Sequence, residues 1–109
     1  MDEAATIIEQ VTAELEIPRD GTLSRVLFKD GDVRLVLFGF DTDQELTEHT
    51  ASRPAIVQII EGRAHLVLGD RETVLEPGGW VHMPAGLPHS VRALEPTVML
   101  LSLLQRASG

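Results

Sequence analysis

The chain contains no cysteine and no tyrosine, and it has only one tryptophan among its 109 residues. The lack of cysteine excludes disulfide frameworks, thiolate metal sites and thiol nucleophiles. The lack of tyrosine removes one common general acid. A single tryptophan provides neither a stacking platform for nucleic acid bases nor a cofactor box. The four histidines are therefore the main candidates for chemistry.

Basic residues are also scarce, since 9 Lys and Arg stand against 17 Asp and Glu and give a net charge of −8. This charge repels phosphate backbones, so we expect no nucleic acid partner. Even the longest apolar runs, such as Val98 to Leu101, fall far short of the roughly 20 residues of a membrane-spanning helix. The acidic start Met1-Asp-Glu-Ala-Ala lacks the basic and apolar regions of a signal peptide. We therefore predict a cytoplasmic protein that does not enter a membrane.

The first part of the chain has a helical pattern. Apolar residues recur three and four positions apart, at Ala4, Ile7, Ile8, Val11 and Leu15. This spacing predicts an amphipathic helix over residues 2–16, with Asp2 as its N-cap and Pro18 as its end. We expect the helix to pack over one face or one end of the domain that follows.

From Leu23 onward, short apolar segments alternate with turn signals, and no helical pattern lies between them. This arrangement predicts an antiparallel barrel or sandwich over residues 23–104. The helix and its turn, residues 1–22, belong to the same domain, and residues 105–109 form a frayed tail.

Two predicted strands, Val33–Phe40 and Val98–Leu104, are apolar on both faces. A strand of this kind lies inside a sandwich or at a subunit contact. Because the second apolar face needs a cover, we predict a homodimer that uses these two strands.

One stretch, Gly78 to His89, combines a strand, a stiff turn and a histidine. Its sequence is Gly-Gly-Trp-Val-His-Met-Pro-Ala-Gly-Leu-Pro-His. Pro84 presets φ in the turn, and Gly86 adopts a left-handed conformation without steric cost. The imidazole of His89 is thus held on rigid backbone just past the corner, where it can bind a metal ion or a ligand.

The spacing Gly78-x5-Pro84-x-Gly86-x2-His89 resembles the second signature motif of the cupins, which are small β-barrel proteins. Their first motif normally reads Gly-x5-His-x-His-x3or4-Glu-x6-Gly, and its counterpart here, Asp43 to Gly62, is degenerate. His49 occupies the position of the first histidine. The opening glycine, the second histidine and the glutamate are replaced by Asp43, Ala51 and Ala55.

The resemblance implies an all-β fold, a double-stranded β-helix (cupin jelly-roll barrel), and the helical pattern of residues 2–16 adds a short N-terminal helix to it. It also implies that His49 and His89 occupy metal-ligand positions in the mouth of the barrel. Because the second histidine and the glutamate are lost, a divalent ion (Zn, Fe, Mn or Ni) would have few protein ligands, and a metal-free pocket is the alternative. His82, seven residues before His89, either joins this site across the hairpin or faces outward.

Three further residues have expected positions. Trp80 is expected in the core or in the pocket wall. Gln58 lies in an otherwise apolar strand, and period-two alternation places it on the face opposite the lost glutamate. A packing or subunit-contact role is therefore expected for Gln58. His65 is expected at a solvent-exposed sheet rim.

Three functions are compatible with these residues. We favour a barrel that binds a small molecule in a pocket lined by His49, Trp80, His82 and His89, with or without a divalent ion. The first alternative is a metal-dependent oxygenase or isomerase that uses His49 and His89. The second is a non-catalytic structural or regulatory dimer with a vestigial site. The loss of two ligands argues against the enzyme, and the cost of burying histidine without a role argues against the vestigial site. Whether the protein is an enzyme stays open at this point.

Overall fold

The structure, a computed structural model, describes residues 4–105. The strands in chain order are β1 (Thr22–Lys29), β2 (Val33–Phe40), β3 (Glu45–His49), β4 (Ala55–Glu61), β5 (Ala64–Leu68), β6 (Arg71–Leu75), β7 (Trp80–Met83), β8 (His89–Ala93) and β9 (Thr97–Leu104). They form a five-stranded sheet, β1-β2-β9-β4-β7, and a four-stranded sheet, β3-β8-β5-β6. All strand pairs are antiparallel. The predicted all-β double-stranded β-helix is confirmed.

The core lies between the two sheets and follows the period-two alternation of the strands. In β4, Ala55, Val57 and Ile59 are buried in the core cluster, while Gln58 lies on the outer face. The other strands contribute inward side chains in the same way. The largest of these are Phe40, Leu66 and Met99. The interior of the barrel is therefore filled with apolar side chains.

The N-terminal segment differs from the prediction. In its described part, residues 4–21, the only helical element is one 3-10 turn, Val11–Glu14, whose N-cap residue Gln10 makes no side-chain capping bond. The predicted N-cap, Asp2, lies outside the described residues. A helix of this length is marginal in water unless packing supports it. The segment instead lies along the sheet, and Ile8 and Val11 line an apolar groove with Phe28 of β1.

This segment covers the outer face of β2. Leu37 is fully buried, although it lies outside the core cluster between the sheets. Leu15 and Ile17 pack so closely over Gly39 that a Cβ atom there would collide with Leu15. Because the second apolar face of β2 is buried within the chain, apolarity no longer argues for a subunit contact through Val33–Phe40.

One end of the barrel collects the functional candidates, and we call it the mouth. Strands β3, β7 and β9 end there, and β2, β4 and β8 begin there. Loops 50–54 and 84–88 border it, and they are joined by a hydrogen bond from the Gly86 N–H to the Ala51 carbonyl oxygen at 2.8 Å. Within residues 4–105, no helix is long and apolar enough to cross a membrane.

Candidate functional site

Strands β3 and β8 bring His49 and His89 together at the mouth. The two residues are partners in the strand register, and their ring centroids lie 4.1 Å apart with an angle of 61° between the rings. His89 continues the inward face of β8 that also carries Val91 and Ala93, and only 7% of its surface is exposed. His49 is exposed on the solvent side of the pair.

A bulge in β3 makes this pairing possible. Leu46 lies opposite Val91, and the register then shifts before His49 reaches His89. Without the shift, regular pairing would place Glu48 opposite His89. The bulge therefore places the imidazole of His49, rather than the carboxylate of Glu48, against His89.

The backbone orients both imidazole rings. Nδ1 of His49 lies 2.7 Å from the Thr47 carbonyl oxygen, and Nδ1 of His89 lies 2.9 Å from the Leu87 carbonyl oxygen. A carbonyl oxygen only accepts hydrogen bonds, so Nδ1 carries the proton in each ring. In the neutral rings, Nε2 then has a free lone pair for a ligand donor or a metal ion.

Burial lowers the pKa of His89 below its ordinary value of 6.5. The hydrogen bond to the Leu87 carbonyl opposes this change, and repulsion from a charged His49 adds a smaller decrease. The lowered pKa favours a neutral His89 ring around neutral pH, which preserves the lone pair on Nε2.

This lowered pKa predicts a pH-dependent loss of stability. Below pH 6.5 the unfolded state binds a proton at His89 more readily than the native state, so the free energy of unfolding falls with pH down to the lowered pKa. Urea denaturation between pH 7 and 5 should show a shallower pH slope for His89→Gln than for the wild type. His82→Gln, which removes an exposed imidazole, is the control. An unchanged slope in His89→Gln would contradict the prediction.

The set of metal donors at the mouth is small. Ala51 and Ala55 present methyl groups where the family pattern has a histidine and a glutamate. Within residues 4–105, no group of three or more His, Cys, Asp or Glu side chains is arranged to hold a metal ion. Divalent ions are usually held by three or four protein ligands. The residues of this chain therefore do not fit a divalent ion unless other molecules complete its coordination.

Trp80 and His82 lie apart from the histidine pair. In β7, Val81 and Met83 pack on the core, and Trp80 and His82 alternate to the other face. Trp80 is 56% exposed and is not a core residue. Both side chains line a groove of about 530 Å³ between β6 and β7, which His49 and His89 do not line. This placement could have been predicted from the sequence. Met83 points into the core just before the turn, so the two-residue period of a strand puts His82 and Trp80 on the outer face.

His65 has the position that the sequence indicated. It lies on the outer face of the four-stranded sheet, and its Nε2 is 2.9 Å from the Glu72 carboxylate. On the same sheet, Arg92 pairs with Asp43 at 3.2 Å. Exposed pairs of this kind contribute little to stability, so His65 and Arg92 are suitable control positions for experiments at the mouth.

Sequence reasoning missed Arg34. It shares the inward face of β2 with Phe38 and Phe40, and it is the register partner of Leu103 at the mouth. Its Nε atom is buried and has no hydrogen-bond partner within residues 4–105. The signal was present in the sequence, because period-two alternation from Phe40 and Phe38 leads to an inward arginine.

Comparison with known proteins gave one family match. The family model described as "Cupin domain" matches residues 36–103, a range that includes both histidines of the mouth. The comparison with curated proteins gave no match.

Several solved structures are similar to this chain. A conserved protein of unknown function from Streptococcus pyogenes is 31% identical, with 98% of this chain and 93% of that chain covered and a TM-score of 0.84. A cupin superfamily protein from Desulfitobacterium hafniense is 21% identical, with 92% and 94% covered and a TM-score of 0.84. KdgF from Halomonas sp. is 21% identical, with 85% and 87% covered and a TM-score of 0.76. The last two likenesses concern the fold alone.

Proposed function

Because the chain belongs to the cupin domain family, whose barrels commonly bind small molecules or metals, we propose that it binds a small molecule at the mouth through His49 and His89. One observation carries the proposal. Both rings are held by backbone carbonyls through Nδ1, and they touch each other with both Nε2 atoms available. Ligand sites are usually apolar and contain a few polar groups that orient the ligand. The two neighbouring Nε2 acceptors can have this role here.

The filled interior favours binding at the mouth rather than deep in the barrel. Behind the histidine pair, the core side chains Val57, Leu66 and Met99 are each at most 2% exposed. A ligand would therefore rest on an apolar floor with its polar groups at the histidines. Trp80 and His82 would contact the ligand only where it extends into the groove between β6 and β7.

The arrangement of the two histidines also argues against the two alternatives, a metal-dependent enzyme and a vestigial site. A metal-dependent oxygenase or isomerase needs a firmly held metal ion, and within residues 4–105 no group of three or more His, Cys, Asp or Glu side chains supports the His49–His89 pair. A Zn, Fe, Mn or Ni ion would need both Nε2 atoms, with the bound molecule or water as its further ligands. A vestigial site would not require two oriented rings with free Nε2 atoms. Binding of a small molecule, with or without such an ion, is therefore the function that the site supports best.

A fragment screen by NMR on ¹⁵N-labelled protein tests the proposal. We expect fragments that bind to shift the imidazole signals of His49 and His89. Loss of one hydrogen bond to a ligand costs about 1 kcal/mol, so His49→Gln and His89→Gln should each weaken binding by about five- to tenfold. His65→Gln, which changes a half-buried histidine on the outer face of the four-stranded sheet, should bind as the wild type does.

Two results would contradict the proposal. Unchanged affinity in both His49→Gln and His89→Gln would show that the mouth is not the binding site. Fragments that shift only Trp80 and His82 would assign binding to the groove between β6 and β7. The screen is repeated with added Zn²⁺, and a metal ion that still binds His49→Gln fully would show that the ion does not depend on the pair.

We also propose a homodimer, for which the strands Val33–Phe40 and Val98–Leu104 were predicted from sequence. The outer face of the second of these, β9, supports it. Leu100 and Leu104 are half-buried there, beside the outward Ile56 and Gln58 of β4. The matching face of β2 is covered by the N-terminal segment, so β9 and β4 form the larger part of the proposed contact. The mass of the particle in solution, measured by light scattering, tests this arrangement.

A further inference from the structure

The inward face of the five-stranded sheet carries a positive charge at the mouth. Arg34 of β2, Leu103 of β9, Ala55 of β4 and Met83 of β7 are successive partners in the register. These four residues form one row across the sheet, at or next to the strand ends that border the mouth. Arg34 is the one charged member of this row.

Arg34 and the histidine pair are at the same end of the barrel. Strand β2 runs away from the mouth, and β3 runs back to it after residues 41–44. Arg34 near the start of β2 and His49 at the end of β3 therefore belong to consecutive strands whose mouth ends coincide. A ligand bound at the imidazoles would therefore lie at the same end of the barrel as Arg34.

One hydrogen-bond donor of the Arg34 guanidinium, the Nε atom, is unused within the described residues, and this atom is buried. A buried donor without a partner costs free energy, and a charged donor costs more than a neutral one. A bound ligand that accepts a hydrogen bond from this donor would remove that free-energy cost.

A second cation lies beside Arg34. Lys29 is its register partner in β1, and like charges directly opposite each other in a sheet are unfavourable. The nearby acids are Asp30 and Asp32 of the β1–β2 turn, and the Asp30 carboxylate accepts hydrogen bonds from the N–H groups of Asp32 and Val33 at 2.8 and 2.9 Å. Glu48 lines a groove on the outside of the other sheet.

We propose that the mouth binds a small organic anion, and that its carboxylate or phosphate oxygens accept hydrogen bonds from the guanidinium of Arg34. This inference rests on the proposed function, because it names the chemical class of the ligand for the same mouth. A planar guanidinium binds two oxygens of one oxyanion side by side, which orients the ligand as well as attracting it. The chain as a whole has a net charge of −8, so attraction for an anion has to come from local cations such as these.

The test is a titration of the full chain with three probes: malonate, methyl phosphate and the neutral malonamide. The signals of the Arg34 Nε–H and of the His49 and His89 rings report the position of each probe. We expect one or both anions to shift the Arg34 signal and to bind about tenfold or more tightly than malonamide. Tighter binding of malonate would identify a carboxylate as the ligand group, and tighter binding of methyl phosphate would identify a phosphate.

Two variants and one control complete the test. Arg34→Gln should weaken anion binding by about tenfold or more, and Arg34→Lys should weaken it less, because it keeps the charge but loses the planar pair of donors. Arg34→Lys also serves if Arg34→Gln does not fold. Arg92→Gln, an exposed arginine paired with Asp43 on the outer face, should bind the anions as the wild type does.

Each contrary result separates this inference from the proposed function. Anions that shift the histidine signals but bind Arg34→Lys and Arg34→Gln unchanged would overturn the role of Arg34 and leave binding at the mouth intact. Binding of malonamide as tight as that of the anions would overturn the anionic class and again leave the mouth intact. No shift at Arg34 with any probe would overturn this inference, while the histidine variants in the fragment screen decide the proposed function independently.

Discussion

Replacing Gly62 by alanine is expected to destabilise the fold by about 3–5 kcal/mol, which is at the upper end of single substitutions. Gly62 lies in the turn between β4 and β5 with φ +86°, a left-handed conformation that costs a residue with a Cβ atom roughly 1–2 kcal/mol. The added Cβ would also overlap the Pro96 carbonyl oxygen and lie 2.7 Å from Cα of Thr97. These contacts are with backbone, so rotation of a side chain cannot relieve them.

The neighbourhood of Gly62 has little freedom to adjust. Thr97 is fully buried, and its Oγ1 accepts a hydrogen bond from the Arg63 N–H at 3.1 Å and donates one to the Glu95 carbonyl at 2.7 Å. The added Cβ would lie 2.6 Å from this same oxygen. A shift that removed the overlap would therefore break hydrogen bonds of a buried hydroxyl, each worth about 1 kcal/mol.

Urea denaturation of Gly62→Ala and Gly86→Ala separates the two contributions. Gly86 has a similar φ of +83°, but a Cβ atom added there has nothing within 4 Å. Gly86→Ala should therefore show the conformational cost alone, roughly 1–2 kcal/mol. Equal losses of stability in the two variants would mean that the contacts at Gly62 relax and that the steric argument is wrong.

Phe40→Ala is expected to cost about 3–5 kcal/mol, because it removes a large side chain from a closely packed core. Phe40 is fully buried and belongs to the core cluster at the end of β2. Its ring stacks on Phe38 with centroids 5.8 Å apart and an angle of 9° between the rings. The cavity cannot collapse easily, since the neighbouring side chains extend from two hydrogen-bonded sheets.

The natural comparison is Phe38→Ala on the same face of β2. Phe38 is only partly buried and packs at the edge of the cluster, so its removal leaves a space that water can enter. Both variants lose the stacked pair, and the difference between their midpoints in urea reports the cost of the internal cavity. A loss in Phe38→Ala as large as that in Phe40→Ala would show that stacking, rather than burial, dominates at this site.

The strand pattern and the turn that precedes His89 could be predicted from the sequence. Alternation within Ala55–Glu61 defines which residues of β4 face the core, and the turn signal Pro84-Ala-Gly86 precedes His89 as the family pattern requires. Both signals are local, because they depend on the two-residue period of a strand and on the φ preferences of proline and glycine. The same period would also have placed Arg34 on the inward face, had it been applied to β2.

The position of His49 and the path of the N-terminal segment depend on contacts between distant parts of the chain, so the local sequence pattern did not predict them. His49 lies opposite His89 only because a bulge in β3 shifts the register, and regular pairing would place Glu48 there. Residues 4–17 have helical spacing, yet they lie along the outer face of β2, because burial against Leu37 and Gly39 outweighs weak helix propensity. The sequence pattern of β2 alone predicts a subunit contact, because it does not show that residues of the same chain cover the second apolar face.

The sequence by itself determined the class of fold, the family and the place of His89 just past the Pro84–Gly86 turn, because these depend on spacing and on the chemistry of single residues. Only the tertiary structure decided which polar groups share the mouth. It brings His49 against His89, places Arg34 at the same end of the barrel and separates Trp80 and His82 into a groove between β6 and β7. The reason is that neighbours across a barrel are set by strand register and sheet order, and a single bulge changes both the partner and the face of a side chain.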